Sequence, residues 1–245
     1  MAPDRSRTPL IVAIIAAVAC LGLVLIIVLA LVLGGFLVAS GGEDGDDRGG
    51  SSSGSSQELS LPPGVAEDQP YLEVSSSADG PVVDVYVDFL CPHCATFHEM
   101  HGEDLTQLAR DGEITLRMHP RPMLDANSTP PGYSGRAANA AVCAYAEDPE
   151  QWFDAEAALF ENQPGEEGLT DDELATVISE GTGLDVSSCI AEGTYLPWIQ
   201  GVVEPEALET TQGTPAVLID GEQFTGDLAE PDALRSAIDE AIAAG

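Results

Sequence analysis

Hydrophobic and polar positions divide this chain into zones of different period. Residues 10–38 form one apolar run without a charged residue. As a helix it would be about 43 Å long against a hydrocarbon core of about 30 Å, which predicts a transmembrane helix that is tilted or extends beyond the bilayer. Residues 40–63 are rich in Gly, Ser and acid, with Ser51-Ser52-Ser53-Gly54-Ser55-Ser56 at the centre. Such a stretch cannot bury a core and reads as a flexible tether. Val83, Val85, Val87 and Phe89 then alternate with other residues, predicting a strand over 82–90 with these four on one face. A helix follows from Pro92 to about Arg110. Ile114, Leu116 and Met118 alternate with Thr115 and Arg117, a second strand of the same sheet.

From about 129 to 211 the period becomes helical. Phe153, Ala157 and Phe160 share one face, and Leu174, Val177 and Ile178 another, with Thr170 and Glu173 spaced as a capping box. Strand character returns at 216–219, followed by the hairpin pair Asp220-Gly221 and a return strand at 223–225. Glu230-Pro231 opens a final helix with Leu234, Ile238 and Ile242 one turn apart. The predicted class is α/β, a sheet interrupted by an inserted helical lobe and preceded by one N-terminal transmembrane helix. The domain plan is a cytoplasmic tail at 1–9, the membrane helix at 10–38, a linker at 39–64 and a catalytic domain at 65–245, with the insertion at about 129–211.

Arg5 and Arg7 precede the apolar run, while Glu43, Asp44, Asp46 and Asp47 follow it. The basic flank stays inside, so the expected location is the cell membrane, single-pass, with the catalytic domain extracytoplasmic. A cleaved signal peptide, cut near Val38-Ala39-Ser40, is the alternative, although the run exceeds an ordinary signal core. The formal net charge is -34 and the chain has no lysine. That charge excludes nucleic acid and anionic lipid surfaces as partners of the ectodomain. It also serves simply to solvate the surface, and no function follows from it.

Five cysteines remain to be placed. Cys20 lies in the membrane run; Ala17-Val18-Ala19-Cys20 weakly matches a lipoprotein site, but the apolar run continues beyond it. Cys91-Pro92-His93-Cys94 falls where strand turns into helix. There Cys91 meets the free N–H groups and positive end of the helix, which favour a thiolate, and Cys94 sits one turn on. This is the pattern of a redox-active dithiol with Cys91 as attacker and Cys94 as resolver. If those two pair, Cys143 and Cys189 are the other possible pair outside the membrane run, a structural bridge closing a loop of roughly 47 residues. Two buried free thiols are the alternative. Cys91, Cys94, His98 and His101 also offer a zinc-site reading, a non-catalytic module, weakened because Cys91 and His101 share a face poorly. No metal and no cofactor are expected.

Cys91-Pro92-His93-Cys94 after a strand, the inserted helical lobe, and Gly213-Thr214-Pro215 opening a late strand together resemble the DsbA-like branch of the thioredoxin superfamily, in its membrane-tethered actinobacterial form. The resemblance covers about residues 65–245 and implies a thioredoxin fold. It also implies a cis peptide before Pro215, with the Thr214 backbone free to pair with an extended substrate and the proline keeping metal away. His93 and Pro92 would tune Cys91 toward thiolate, which makes the disulfide a stronger oxidant. The implied activity is insertion of disulfides into unfolded or reduced secreted proteins by a monomer. Reoxidation would come from a quinone-linked membrane partner similar to vitamin K epoxide reductase. A reductase or isomerase of the same fold is the alternative. One position departs from the superfamily pattern. The buried acid often found six residues before the first cysteine is Val85 here, and Asp84 and Asp88 are expected on the opposite face of the strand, which leaves a buried-acid proton relay without its usual residue; Asp88, near the strand end, is the alternative, acting through water.

Overall fold

The alternating valines build the centre of the sheet. In a computed structural model, which describes residues 59–245, strand β2 (Val82–Val87) lies in the middle with Val83, Val85 and Val87 fully buried. The predicted membrane helix at 10–38, Cys20 and most of the linker at 39–64 lie outside the described residues. Among those described, no helix is long and apolar enough to cross a membrane.

β2 runs parallel to β3 (Thr115–Pro120), with Val85 opposite Met118, and antiparallel to β4 (Ala216–Ile219), with Val85 opposite Val217. β1 (Leu72–Ser75) pairs antiparallel with the outer side of β3, and β5 (Glu222–Gln223) closes the other edge, giving the order β1-β3-β2-β4-β5. β1 has only four residues and an irregular register between Glu73 and Ser75. Too short to impose a visible alternation, it escapes a reading of the sequence. The hairpin between β4 and β5 turns on Asp220 and Gly221, both at positive φ, as Asp-Gly pairs favour. The return strand begins one residue earlier than expected and is shorter.

Helix α1 (Pro92–Arg110) buries Cys94, Phe97, His101, Leu105 and Leu108 in the main core, alongside the β2 valines. The last helix, α8 (Ala233–Ala244), adds Leu234 and Ile238 to the same core. It starts two residues after the predicted Pro231, because 230–233 form a turn closed by Ala233 N–H to the Glu230 carbonyl. Toward the N-terminus, Leu61 and Val65 pack on this core, so ordered packing reaches into the stretch read as linker. A second, smaller core of Tyr86, Ala216, Leu218 and Ala207 forms separately from the first.

Between β3 and β4 the chain is helical: α2 (Tyr133–Glu147), α3 (Gln151–Glu161), α4 (Asp171–Thr182), α5 (Ser187–Glu192), α6 (Leu196–Trp198), a π turn (Ile199–Val203) and α7 (Glu204–Thr210). Alanines make α2 narrow enough to be buried over most of its surface, with Ala137, Ala138, Ala140, Ala141 and Ala144 inaccessible. The same economy of size brings α3 and α4 together, since a Cβ on Gly181 would fall 2.5 Å from that of Ala158. The apolar surface of α3 is broader than the predicted stripe. Trp152, Ala155 and Leu159 are its deepest residues, Phe153 and Phe160 are also buried, and Ala157 is only half-buried. The reason is that α3 is covered from two sides, by its neighbours in the lobe and by α1. Thr170 and Glu173 form a reciprocal capping box at the start of α4.

Cys143 of α2 and Cys189 of α5 are joined by a disulfide, their Cα atoms 6.0 Å apart and 46 residues apart in sequence. Replacing both by alanine is expected to lower stability by about 2–4 kcal/mol through the greater freedom of the unfolded chain. Denaturant unfolding of the protein measures this, and a loss near zero would show that the bridge does not constrain the lobe.

Candidate active site

Strand β2 stops at Val87, and four residues then turn the chain into α1. The Cys91 N–H bonds the Asp88 carbonyl at 3.0 Å, which closes the turn and makes Cys91 the N-cap residue. Pro92 takes the first helical position, where its missing N–H costs nothing. Pro92 and His93 are exposed; Cys91 and Cys94 are buried and unbridged. Opposite them is the 213–215 loop, with a cis bond between Thr214 and Pro215. The Cys91 thiol donates to the Thr214 carbonyl at 3.5 Å, so strand end, helix start and loop meet at one sulfur.

The two thiols are placed in opposite electrostatic situations. A hydrogen bond from Cys94 lowers the Cys91 pKa to about 5 in spite of burial, and Thr214 and the backbone N–H groups of Cys94 and His93 act in the same direction. Burial, and then the neighbouring Cys91, push the Cys94 thiol far up. Cys94 is accordingly the proton carrier and Cys91 the anion, both beneath the surface. The His93 backbone takes part, while its ring stays at the surface.

A buried acid is present, at a position that the strand pattern had turned away. Asp88 is fully inaccessible. Its Oδ1 accepts from the Leu90 N–H at 2.8 Å and from Ser134 Oγ at 2.7 Å, and its Oδ2 accepts from the Leu124 N–H at 2.8 Å. Its own N–H points to Cys94 Sγ at 3.5 Å. Burial raises the carboxyl to about 6, the Cys91 charge adds to the rise, and the three hydrogen bonds oppose it. The expectation that Asp88 lies on the face opposite Val85 assumed strand geometry through residue 90. Because the strand ends at Val87, strict alternation no longer applies to Asp88.

Gln163, just beyond α3, also belongs to the site. Its Nε2 donates to the carbonyls of Phe89 at 2.9 Å and Cys91 at 3.1 Å, so the lobe grips the turn directly. Nothing in the local sequence signals a contact across more than 70 residues. His98 and His101 do not converge on the dithiol. His98 Nδ1 lies 3.8 Å from Glu156, and His101 Nε2 meets the Leu228 carbonyl at 2.9 Å. Among the described residues no cluster of His, Cys, Asp and Glu has the placement of a metal site. A second cis bond, between Thr129 and Pro130, opens the lobe without touching this site.

The profile of the family described as thioredoxin matches residues 76–240. Among solved structures, the reduced disulfide bond oxidoreductase DsbG of Mycobacterium tuberculosis is 28% identical, with a TM-score of 0.61, over 72% of this chain and 89% of that one. Reduced DsbA of the same organism is 27% identical with a TM-score of 0.60, over 71% and 92%. MdbA, a thiol-disulfide oxidoreductase of Actinomyces oris, is 25% identical with a TM-score of 0.56, over 66% and 81%. The mycobacterial serine/threonine-protein kinase PknE is 29% identical over 164 residues, which is 63% of this chain but only 28% of that protein. The fold and the dithiol site are thus DsbA-like. The chain belongs to the thioredoxin family that the profile describes.

Two measurements examine the site. Alkylation of the reduced protein against pH should show Cys91 titrating near 5 while Cys94 stays unreactive; a Cys91 midpoint near the free-cysteine value of about 8.5 would contradict the assigned environment. Asp88→Asn turns one acceptor oxygen into a donor facing a backbone N–H, and should cost about 1–3 kcal/mol of stability. Because Asp88 ionises at about 6, it is already mostly neutral where Cys91 titrates near 5, so the Cys91 alkylation midpoint should stay close to its wild-type value.

Proposed function

We propose that the protein is an extracytoplasmic thiol-disulfide oxidoreductase that introduces disulfides into secreted or membrane proteins through Cys91 and Cys94. The observation that carries this reading is the opposition of the two thiols, one held as an anion at the helix start and the other kept protonated beneath it. In the oxidised protein a substrate thiolate attacks Cys91 Sγ. The Cys91–Cys94 bond breaks, and Cys94 leaves with the electron pair and takes up a proton. The second substrate thiolate then attacks its partner sulfur in the mixed disulfide and expels Cys91 as a thiolate. Two electrons have moved from the substrate dithiol to the protein. Cys91 is the better leaving group because its thiolate is stabilised, and stabilising it favours the reduced protein, which is what an oxidant requires.

Asp88 supports the proton step. Its carboxyl ionises at about 6, within reach of neutral pH, and its backbone N–H faces Cys94 Sγ. Thr214 and Pro215 supply the substrate-docking backbone, the Thr214 carbonyl lying next to the Cys91 sulfur and free to pair with an extended chain once that sulfur is engaged. The apolar run at 10–38 would anchor the domain outside the cytoplasmic membrane, within reach of a quinone-linked reoxidant similar to vitamin K epoxide reductase. The working unit is taken as a monomer.

The reduction potential of the pair tests the direction of electron flow. We expect a value nearer the about -120 mV of strong oxidants than the about -270 mV of thioredoxin, and a thioredoxin-like value would make the protein a reductase. The pH dependence follows from the sign of the Cys91 shift. Its pKa is lower in the folded protein than in the unfolded chain, so the stabilisation it gives the reduced form is complete above the unfolded value and disappears as pH falls through about 5. The Cys91 charge that adds to the Asp88 rise exists only in the reduced form and is the smallest of its causes, so Asp88 offsets this trend only weakly. The stability advantage of reduced over oxidised protein should therefore shrink steadily from pH 7 to pH 5 in denaturant titrations. An advantage that is flat or growing over that range would remove thiolate stabilisation as the source of oxidising power.

A further inference from the structure

Arg121 has no part in the exchange steps above, yet it is buried to within 1% at the base of the site. Its backbone N–H bonds the carbonyl of Val87 at 2.8 Å, at the point where β2 gives way to the turn carrying Asp88 and Cys91. Its guanidinium reaches the other way. Nε and Nη2 take the two carboxylate oxygens of Glu204 at 2.9 and 2.8 Å, and Nη1 donates to Thr211 Oγ1 at 3.0 Å. The Thr211 hydroxyl, fixed by that bond, donates to the Ala207 carbonyl at 3.1 Å, with the Gly213 carbonyl at 3.5 Å. Gly213 precedes Thr214, whose carbonyl meets Cys91 Sγ.

We propose that Arg121 is a positioning residue for the dithiol, setting the distance between the Thr214 loop and Cys91 by clamping the end of β2 to α7 and Thr211. Two further features support this. A buried guanidinium is costly unless its donors are matched, and here a planar fork meets a carboxylate in two-point register, a geometry that fixes orientation as well as charge. In addition, the π turn at Ile199–Val203 ends immediately before Glu204. Glu204 and Thr211, seven residues apart at the start and the C-cap of α7, fall on one face of the helix and so meet the same guanidinium, and π turns recur at functional sites.

The inference rests on the dithiol reading, but its test does not require turnover. Cys91 alkylation against pH is measured in the reduced ectodomain for wild type, Arg121→Lys, Thr211→Val and Thr211→Ser, together with the rate of oxidation of a dithiol peptide. Arg121→Lys keeps the charge and loses the fork. Thr211→Val removes only the last link and leaves the Arg121–Glu204 pair in place. Because the side-chain hydroxyl of Thr214, unlike its carbonyl, is one of the groups that lower Cys91, loosening the loop that holds it should move the alkylation midpoint up in both variants and slow peptide oxidation by about tenfold or more. Thr211→Ser, which retains the hydroxyl, should behave as wild type. An unmoved midpoint in both Arg121→Lys and Thr211→Val overturns the proposal, whatever happens to stability or rate. If wild type itself fails to oxidise the peptide, the proposed activity falls while the midpoint still decides the role of Arg121.

Discussion

Asp88 sits where water cannot reach and where three segments of the chain each present a donor. The Leu90 N–H comes from the turn before the dithiol, the Leu124 N–H from the loop after β3, and the Ser134 hydroxyl from the first turn of α2. Without an acceptor, two backbone amides would be buried unpaired, each at a cost of about 1–3 kcal/mol. Without the donors, the carboxylate would carry an uncompensated desolvation penalty. Each side of the arrangement depends on the other, and the geometry of the turn depends on both. The helix start that activates Cys91 and the buried seat of Cys94 are therefore consequences of how one carboxyl is satisfied.

The thioredoxin-like α/β fold was legible because its central elements repeat with clear periods. Val83, Val85 and Val87 announce a strand, Cys91-Pro92 announces the helix start, and Thr170 with Glu173 announces a cap. Each of these is a local relation among residues a few positions apart. What escaped was either short or non-local. β1 has too few residues for its alternation to show, and α3 is covered on two sides, which blurred the stripe at Phe153, Ala157 and Phe160. The burial of Asp88 does not show in the alternation because the strand ends at Val87 and two of its three donors, Leu124 and Ser134, come from distant segments. Gln163 and Arg121 act across the insertion, and nothing adjacent to either of them marks the carbonyl or carboxylate it will meet.

The charge distribution is also clearer in three dimensions. Each of the arginines among the described residues is engaged. Arg117 pairs with Glu73 and lies over Tyr71, Arg136 binds Asp171 and the Leu169 carbonyl, Arg235 bonds Asp104 and Asp239, and Arg110 lies over Phe153. Arg121 is consumed by Glu204 and Thr211. Positive charge is thus spent on fastening elements together, and the excess of acid is left to the solvent. Screening by salt should ease the mutual repulsion of that acidic surface, while the buried Arg121–Glu204 pair is much less affected by it.

The amide of Gln163 has a practical meaning for those who recombine such proteins. Lobes of this kind look like exchangeable parts, since they leave β3 and enter β4 at the same end of the sheet, on either side of β2. Yet a single nitrogen from this lobe occupies the carbonyls of Phe89 and Cys91, and those belong to the sheet-and-helix scaffold. A transplanted lobe that folds perfectly but brings no donor to that spot would leave the reactive turn slack. Chimeras should therefore be judged by whether position 163 travels with an amide, before their helices are compared at all.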